Sequence, residues 1–417
     1  MTVPLVFASA GRGTWVSYLL ATVCALFLGT CIARFAKDSA SPGSLYTYTT
    51  TSLPFALRSV AAWALVLAYV ASGASVVGGF VHYANVVLDE FLHFKMSEVI
   101  LGLICVALPV WVACRDVKVS ARMLLSVEVV SVFLISVVFC MVLWKHGPHV
   151  DIDQLKLRDV QPSGVRLGLV LAMFSCVGFE SATTLGQEVR DPLKTIPRAV
   201  ILSSVITGVF FIVASYTEVL GFPASAGSLA DSDSPLSVLA TSVGVSALGP
   251  FIDICVMFTM LACTLACITA AARVVLLMAH NGLAPKRLDR VHPGHKTPVA
   301  AIVVTGVVTM LLSVPLSAFK VTGETIYDWM GSLATYGFIA VYALVAIALP
   351  LYLKKRHKMT FTSIVSSVLG VAAMAFVLAG TLYPVPEAPK NWLPYIFMLY
   401  LAVATGWNVW SRKRSDA

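Results

Sequence analysis

The residues from Phe174 to Arg198 read FSCVGFESATTLGQEVRDPLKTIPR, and they follow a dozen apolar or small residues. Two of them are out of place in such a run, Gly178 and Glu180. Glycine in a helix interior costs about 1 kcal/mol relative to alanine. A charged Asp at the centre of a membrane span costs about 2.5 to 3.5 kcal/mol on insertion scales, and Glu is of that order. One arrangement removes both penalties: a helix broken near Val177 to Phe179, with an outer half from Val165 to Cys176 and an inner half starting at Glu180 or Ser181. The inner half would turn its positive N-terminal end and its free N–H groups toward the Glu180 carboxylate. Backbone opened inside a bilayer is tolerated only where it lines a protein cavity, and discontinuous helices of this kind carry substrate and ion sites in secondary transporters. The competing reading is an unbroken helix whose Glu180 meets a polar partner in the bundle.

A second acid, Glu128, falls in another apolar run. Glu180 and Glu128 are expected to be the deepest ionisable groups, and carboxyls at such depth mark ion pathways or proton relays; for Glu128 the alternative is a structural partner of another polar group. Asp253 and Arg273 share one expected helix but stand twenty residues apart, about 30 Å at 1.5 Å per residue, too far to pair. Asp253 is placed near the outer interface and Arg273 near the inner one, where a long stem can snorkel. Nine cysteines lie within or at the ends of apolar runs without a CxxC or a Cys/His cluster, so they read as small buried hydrophobes. No metal or other cofactor is expected. A helix-borne His/Glu motif, a GxSxG elbow and clustered intramembrane aspartates are all missing, which argues against an enzyme.

The elements that must position these residues follow from composition. The 417 residues are 58% hydrophobic and 12% charged, against about 25% charged in soluble domains. Runs of about 20 apolar residues match a hydrocarbon core of about 30 Å. Spans are predicted near Thr14 to Phe35, Ser59 to Leu88, Ser97 to Cys114, Ser120 to Trp144, Val165 to Leu185, Pro197 to Phe222, Leu248 to Ala279, Pro298 to Phe319, Ile326 to Leu353, Phe361 to Leu382 and Leu393 to Trp410. This is an all-α polytopic membrane protein with eleven crossings, and no stretch of the chain is left for a soluble domain. No cleavable leader is expected. One set of alternate connections holds 20 of the 29 lysines and arginines and the opposite set 8; the rule that cytoplasmic loops carry the excess places the C-terminus in the cytoplasm and Met1 outside. The net charge of +8 is therefore a topology signal and not a nucleic-acid footprint.

Four stretches, in this order and spacing, carry a wider resemblance: PGSLYTYTTTSLP at Pro42 to Pro54, VKVSARMLLSVEV at Val117 to Val129, the block from FSCVGFES to DPLKTIPRAV at Phe174 to Val200, and ITAAARVVLLMAHNGLAPKRLDRVHPGHKTP at Ile268 to Pro298. Together they resemble permeases of the amino acid-polyamine-organocation (APC) superfamily over nearly the whole chain. The resemblance implies an inverted-repeat bundle of twelve helices, of which eleven are present: an incomplete first repeat at 1–164, a second repeat at 165–353, and two additional helices with a cytoplasmic tail at 354–417. The first helix of the family pattern is absent, and Met1 to Arg12 looks like its outer tail. The glycine-rich break that this helix contributes to the family's substrate site is absent with it.

The resemblance also assigns roles. Phe174 matches an aromatic lid over the substrate, and Ser175, Cys176, Val177 and Gly178 would offer opened backbone to a substrate ammonium, which needs acceptors. Glu128 stands where some family members place a proton-loading lysine, so its sign is reversed. Tyr69, Ser72 and Ser75 on the second span and Tyr336 on the ninth are candidates for side-chain specificity, although such residues also join helices. Lys286, Arg287, Arg290, His292, His295 and Lys296 read as a cytoplasmic anchor near anionic lipid. The expected function is secondary transport of an amino acid or related amine with the proton as coupling ion. The alternatives are a truncated or inactive permease fragment, or an amino acid sensor that no longer cycles.

Overall fold

The computed structural model describes residues 2–39, 44–115, 117–147, 151–158, 160–185, 189–292, 297–383 and 385–415. His295 and Lys296 of the expected anchor, and Pro42 and Gly43 of the first matched stretch, lie outside them. In chain order the helices are α1 (Thr2–Ala10), α2 (Thr14–Ala36), α3 (Ser44–Thr50), α4 (Phe55–Leu92), α5 (Glu98–Arg115), α6 (Val117–His146), α7 (Ile152–Leu155) and α8 (Pro162–Cys176). Then come a 3-10 segment at Phe179–Leu185, α9 (Pro192–Gly221), α10 (Pro235–Ser242), α11 (Leu248–His280), α12 (Val299–Ala318), α13 (Gly323–Lys355), α14 (Phe361–Leu382) and α15 (Leu393–Ser415). Among the described residues there is no strand, and 11 helical stretches are long and apolar enough to cross a membrane. Each overlaps one of the eleven predicted spans.

Burial divides these helices into a centre and a rim. In the most apolar window of α4, 89% of residues are buried, and in α13 67%, against 22% in α6 and 17% in the last helix. The two central helices approach to backbone contact: a Cβ on Gly78 would stand 2.5 Å from the Gly323 carbonyl oxygen, and one on Gly323 2.5 Å from that of Gly78. Lipid tails are as apolar as leucine, so helices in a bilayer gain by close packing through small residues. The main core cluster joins α2, α4, α8 and α13, the four elements around the break.

Helix also precedes the first predicted span. Residues before Thr14 form a separate helix, α1, set off by a 3-10 turn at Gly11–Gly13 in which Gly11 has φ +52°. α1 lies on α8, where Gly164 and Gly168, four apart on one face, leave room for it; a Cβ on Gly164 would stand 2.2 Å from the Ser9 carbonyl oxygen and one on Gly168 2.9 Å from Val6 Cγ1.

Candidate functional site

α8 starts with proline at its first turn and is helical to Cys176. Val177 is then extended, with φ −72° and ψ 163°, and Gly178 has φ +99°, a backbone conformation that side chains with a Cβ rarely adopt. The break therefore falls at Val177 and Gly178, inside the predicted interval. The inner segment departs from the prediction: it is a 3-10 helix over Phe179–Leu185 instead of an α-helix beginning at Glu180 or Ser181. Its hydrogen bonds restart with Ser181 N–H donating to the Gly178 carbonyl at 3.0 Å.

Ending an α-helix at Cys176 leaves the carbonyls of its last turn without intrahelical donors. The Phe174 carbonyl accepts from Val177 N–H at 3.4 Å. The break faces open space: a Cβ on Gly178 would meet no atom within 4 Å, Ser175, Val177 and Gly178 are half-buried, and Ser181 is exposed.

Glu180 is fully buried and held by three donors. Tyr69 Oη on α4 donates to Oε1 at 3.1 Å, Tyr342 Oη on α13 donates to Oε2 at 2.7 Å, and Gly178 N–H donates to Oε2 at 3.0 Å. A carboxylate with several donors can be tolerated in a setting that would expel an unpartnered one. Rings enclose it: Phe179 and Phe338 both stack on Tyr342, with centroids 5.8 and 5.6 Å away, and Tyr69 meets Phe338 edge-on at 5.6 Å. The two competing readings of Glu180 are thus both present in part. The helix is broken, and its acid also has polar partners in the bundle.

A profile of the family described as amino acid permease matches residues 2–411. The chain belongs to the amino acid permease family, within the APC superfamily. It is 24% identical over 422 residues to the branched-chain amino acid permease BcaP of Bacillus subtilis (strain 168), covering 96% of this chain and 82% of that one. It is 25% identical over 435 residues to the methylthioribose transporter of the same organism, covering 97% and 87%. It is also 25% identical over 307 residues to the low-affinity putrescine importer PlaP of Escherichia coli (strain K12), covering 71% and 66%. These relatives are transporters by name, and they differ widely in what they carry.

In this permease the predicted residues separate into three places. Phe174, Ser75 and the break form one. Phe174 is buried, edge-on to Tyr327 at 5.9 Å, and its ring lies against Gly331, where a Cβ would come within 3.0 Å of Cε1 and 3.2 Å of Ser75 Oγ. Ser75 Oγ donates to the Tyr327 carbonyl at 2.6 Å, so its hydroxyl hydrogen is committed inside the bundle. Tyr69 is likewise committed, to Glu180. Ser72 lies one turn from Tyr69 on the same face of α4; it is buried and its hydroxyl has no hydrogen-bond partner among the described residues. Cys176 is buried and ends α8.

Tyr336 and Glu128 stand elsewhere. Tyr336 stacks on Phe397 at 6.1 Å and lines a cavity of about 370 Å³ beside Ser332, Thr381 and Lys390; the ammonium of Lys390 is paired with Asp328. Glu128 is exposed on α6, flanked by Leu125 and Val129, and is not brought to Glu180. Depth along a span had ranked it with Glu180, but depth carries no information about which face of the helix points inward.

Sequence reasoning missed three residues. Tyr342, the nearest side-chain donor to Glu180, had no local signal. Glu218 and Asp328 had one, a carboxyl inside a predicted apolar span, and both are buried with an oxygen that has no hydrogen-bond partner among the described residues. Asp253 is buried beside Ser234, whose Oγ lies 2.7 and 2.6 Å from its two oxygens, and it does not pair with Arg273. Among the described residues no group of His, Cys, Asp or Glu is arranged to hold a metal ion.

Proposed function

We propose that this permease is a secondary active transporter that moves an amino acid or related amine across the cell membrane, coupled to protons, by alternating access around the break at Gly178. The observation that carries the reading is the interruption at Val177 and Gly178, open on one side and fixed on the other by Glu180. The carbonyls of Ser175, Cys176 and Val177 serve as acceptors for the substrate ammonium, Phe174 covers it, and the Ser72 hydroxyl is free to donate to its polar groups. The relatives' names support a small-molecule cargo and extend the range to test to branched-chain amino acids, putrescine and methylthioribose.

Glu180 supplies the coupling step. As a carboxylate it accepts from Tyr69, Tyr342 and Gly178. A proton on Oε2 turns an acceptor into a donor, so Tyr342 or Gly178 N–H must turn away. A released Gly178 N–H then points to the open side, where a substrate carboxylate can accept from it. Glu128, exposed on α6, is kept as the second candidate for the proton path. The loop charges orient the permease with its C-terminus in the cytoplasm.

The test is uptake into proteoliposomes of a labelled panel containing neutral and cationic amino acids, putrescine and methylthioribose. Saturable flux of at least one compound, rising with an imposed proton gradient, is expected; absence of saturable flux for the whole panel refutes transport of this class. Glu180→Gln should flatten the pH profile of uptake, and an unchanged profile removes Glu180 from the proton path.

A further inference from the structure

A groove of about 960 Å³ opens between the end of α2 and the start of α9. Arg34 and Lys37 line it from α2, and Lys194 and Arg198 from α9. Spacings of three and four residues put each pair on one helical face. Among the described residues no acid lines the groove. Asp38, next to Lys37 in sequence, is paired instead with Lys358 Nζ at 2.9 Å. The Arg34 guanidinium is held in place by donating to Thr360 Oγ1 at 3.3 Å and Thr362 Oγ1 at 2.9 Å, and with five N–H donors it keeps others free. Lys37, Lys194 and Arg198 are exposed. The first turn of α9 adds the partial positive charge of a helix N-terminus to the same place.

The remaining wall is apolar. Ile201, Leu202 and Val205 continue the groove along α9, and Leu202 is 58% exposed. The stripe runs on past the groove through Ile206 and Val209, both more than half exposed. Four cations at the end of two membrane spans, followed by an uncovered hydrocarbon-facing track, match a molecule with an anionic head and acyl chains. A free anion would leave the track unused, and a zwitterionic lipid would leave the charge uncompensated. Basic pockets between transmembrane helices hold anionic headgroups in this manner.

We propose that the α2–α9 groove is a binding site for one anionic phospholipid, its phosphate among Arg34, Lys37, Lys194 and Arg198 and an acyl chain against Ile201, Leu202 and Val205. Its lining shares no residue with the break or with the partners of Glu180, and the proposal does not depend on which substrate the permease carries.

The test uses the full chain in nanodiscs of phosphatidylcholine with increasing phosphatidylglycerol, reading bound lipid by native mass spectrometry and the thermal midpoint by intrinsic fluorescence. Phosphatidylglycerol should be retained and should raise the midpoint. Lys194→Gln with Arg198→Gln should weaken its binding about 30-fold, since each cation near an anionic lipid surface is worth about a factor of five. The control pair Lys354→Gln with Lys355→Gln, which removes the same charge from the end of α13 outside the groove, should leave binding unchanged. Equal loss in both pairs, equal retention of phosphatidylcholine, or an equal midpoint rise with inorganic phosphate alone would each overturn the proposal. If the groove variant unfolds in detergent, the wild type decides: retention that does not weaken between about 0.05 and 0.5 M salt also overturns it.

Discussion

Removing one hydroxyl beside Glu180 tests whether the acid is bound as a carboxylate. Tyr342→Phe deletes the donor 2.7 Å from Oε2 and leaves that oxygen with Gly178 N–H alone. A hydrogen bond to a charged group contributes about 1.5 to 3 kcal/mol, and one between neutral groups about 0.5 to 1.5. In the wild-type background the substitution should therefore cost about 2 kcal/mol, and in a Glu180→Gln background about 1. The difference, a coupling of roughly 1 kcal/mol, is the quantity to measure in a double-mutant cycle. At about 2.1 cal/mol/K of unfolding entropy per residue, 2 kcal/mol moves the midpoint of a chain this long by only about 2 °C. Equilibrium unfolding in mixed detergent micelles resolves such a difference better than a thermal scan. Coupling within about 0.3 kcal/mol of zero, the scatter of independent sites, would refute the claim that Tyr342 stabilises a charged Glu180.

Gly178→Ala should cost about 1 to 3 kcal/mol through backbone strain at φ +99° alone, because the added methyl meets nothing within 4 Å; its stability measured against a Gly406→Ala control decides this, and equal values would mean the break relaxes without glycine. Ser72→Ala removes a hydroxyl that has no protein partner, so uptake should show KM raised several-fold with the unfolding midpoint unchanged, whereas a stability loss with normal KM would assign Ser72 to packing. In the loop between α6 and α8, burial alone would raise the Asp151 carboxyl, but the Gln154 amide, the backbone N–H groups of Gln154 and Asp153 and the Arg12 charge hold it below its ordinary value. With the folded value lowered, its contribution is complete above about pH 4 and fades as pH falls through the folded value. Protease cleavage within 151–158 should accordingly increase below about pH 4 and less so in Asp151→Asn; a flat profile in wild type contradicts this.

The break was legible because its causes are local. A glycine two residues from an acid in an apolar run is expensive in one lipid-exposed helix whatever surrounds it, and the eleven spans follow from run length alone. What surrounds Glu180 was not legible, because it depends on rotation about helix axes. Tyr336 and Tyr342 lie six residues apart on α13, so at 100° per residue they point about 120° apart. Choosing between them needs the phase of α13 against α8, which no span boundary supplies. The same ambiguity placed Glu128 with Glu180, and it left Glu218 and Asp328 unnoticed in spans whose ends were nonetheless found. The 3-10 form of Phe179–Leu185 escaped for another reason: helix propensity does not separate the two ladders over seven residues, and the Glu180 tether that starts the segment is tertiary.

The penalties that mark this site in the sequence offset one another in the fold. Breaking α8 leaves Gly178 N–H without a helical acceptor, and burying Glu180 leaves a carboxylate without water; the first group donates to the second at 3.0 Å. That bond alone cannot hold a charge, so two tyrosines from the central pair α4 and α13 complete it. The consequence is mechanical as well as electrostatic. α8 and the 3-10 segment are joined through flexible backbone at Val177 and Gly178, while the carboxylate ties that joint to the most buried helices of the bundle. Any rocking of the broken helix against α4 and α13 has to lengthen the bonds to Tyr69 or Tyr342. Under the proposed proton coupling, the protonation state of Glu180 would set how much that lengthening costs, and this one carboxyl would be the place where a proton gradient acts on the geometry of the break.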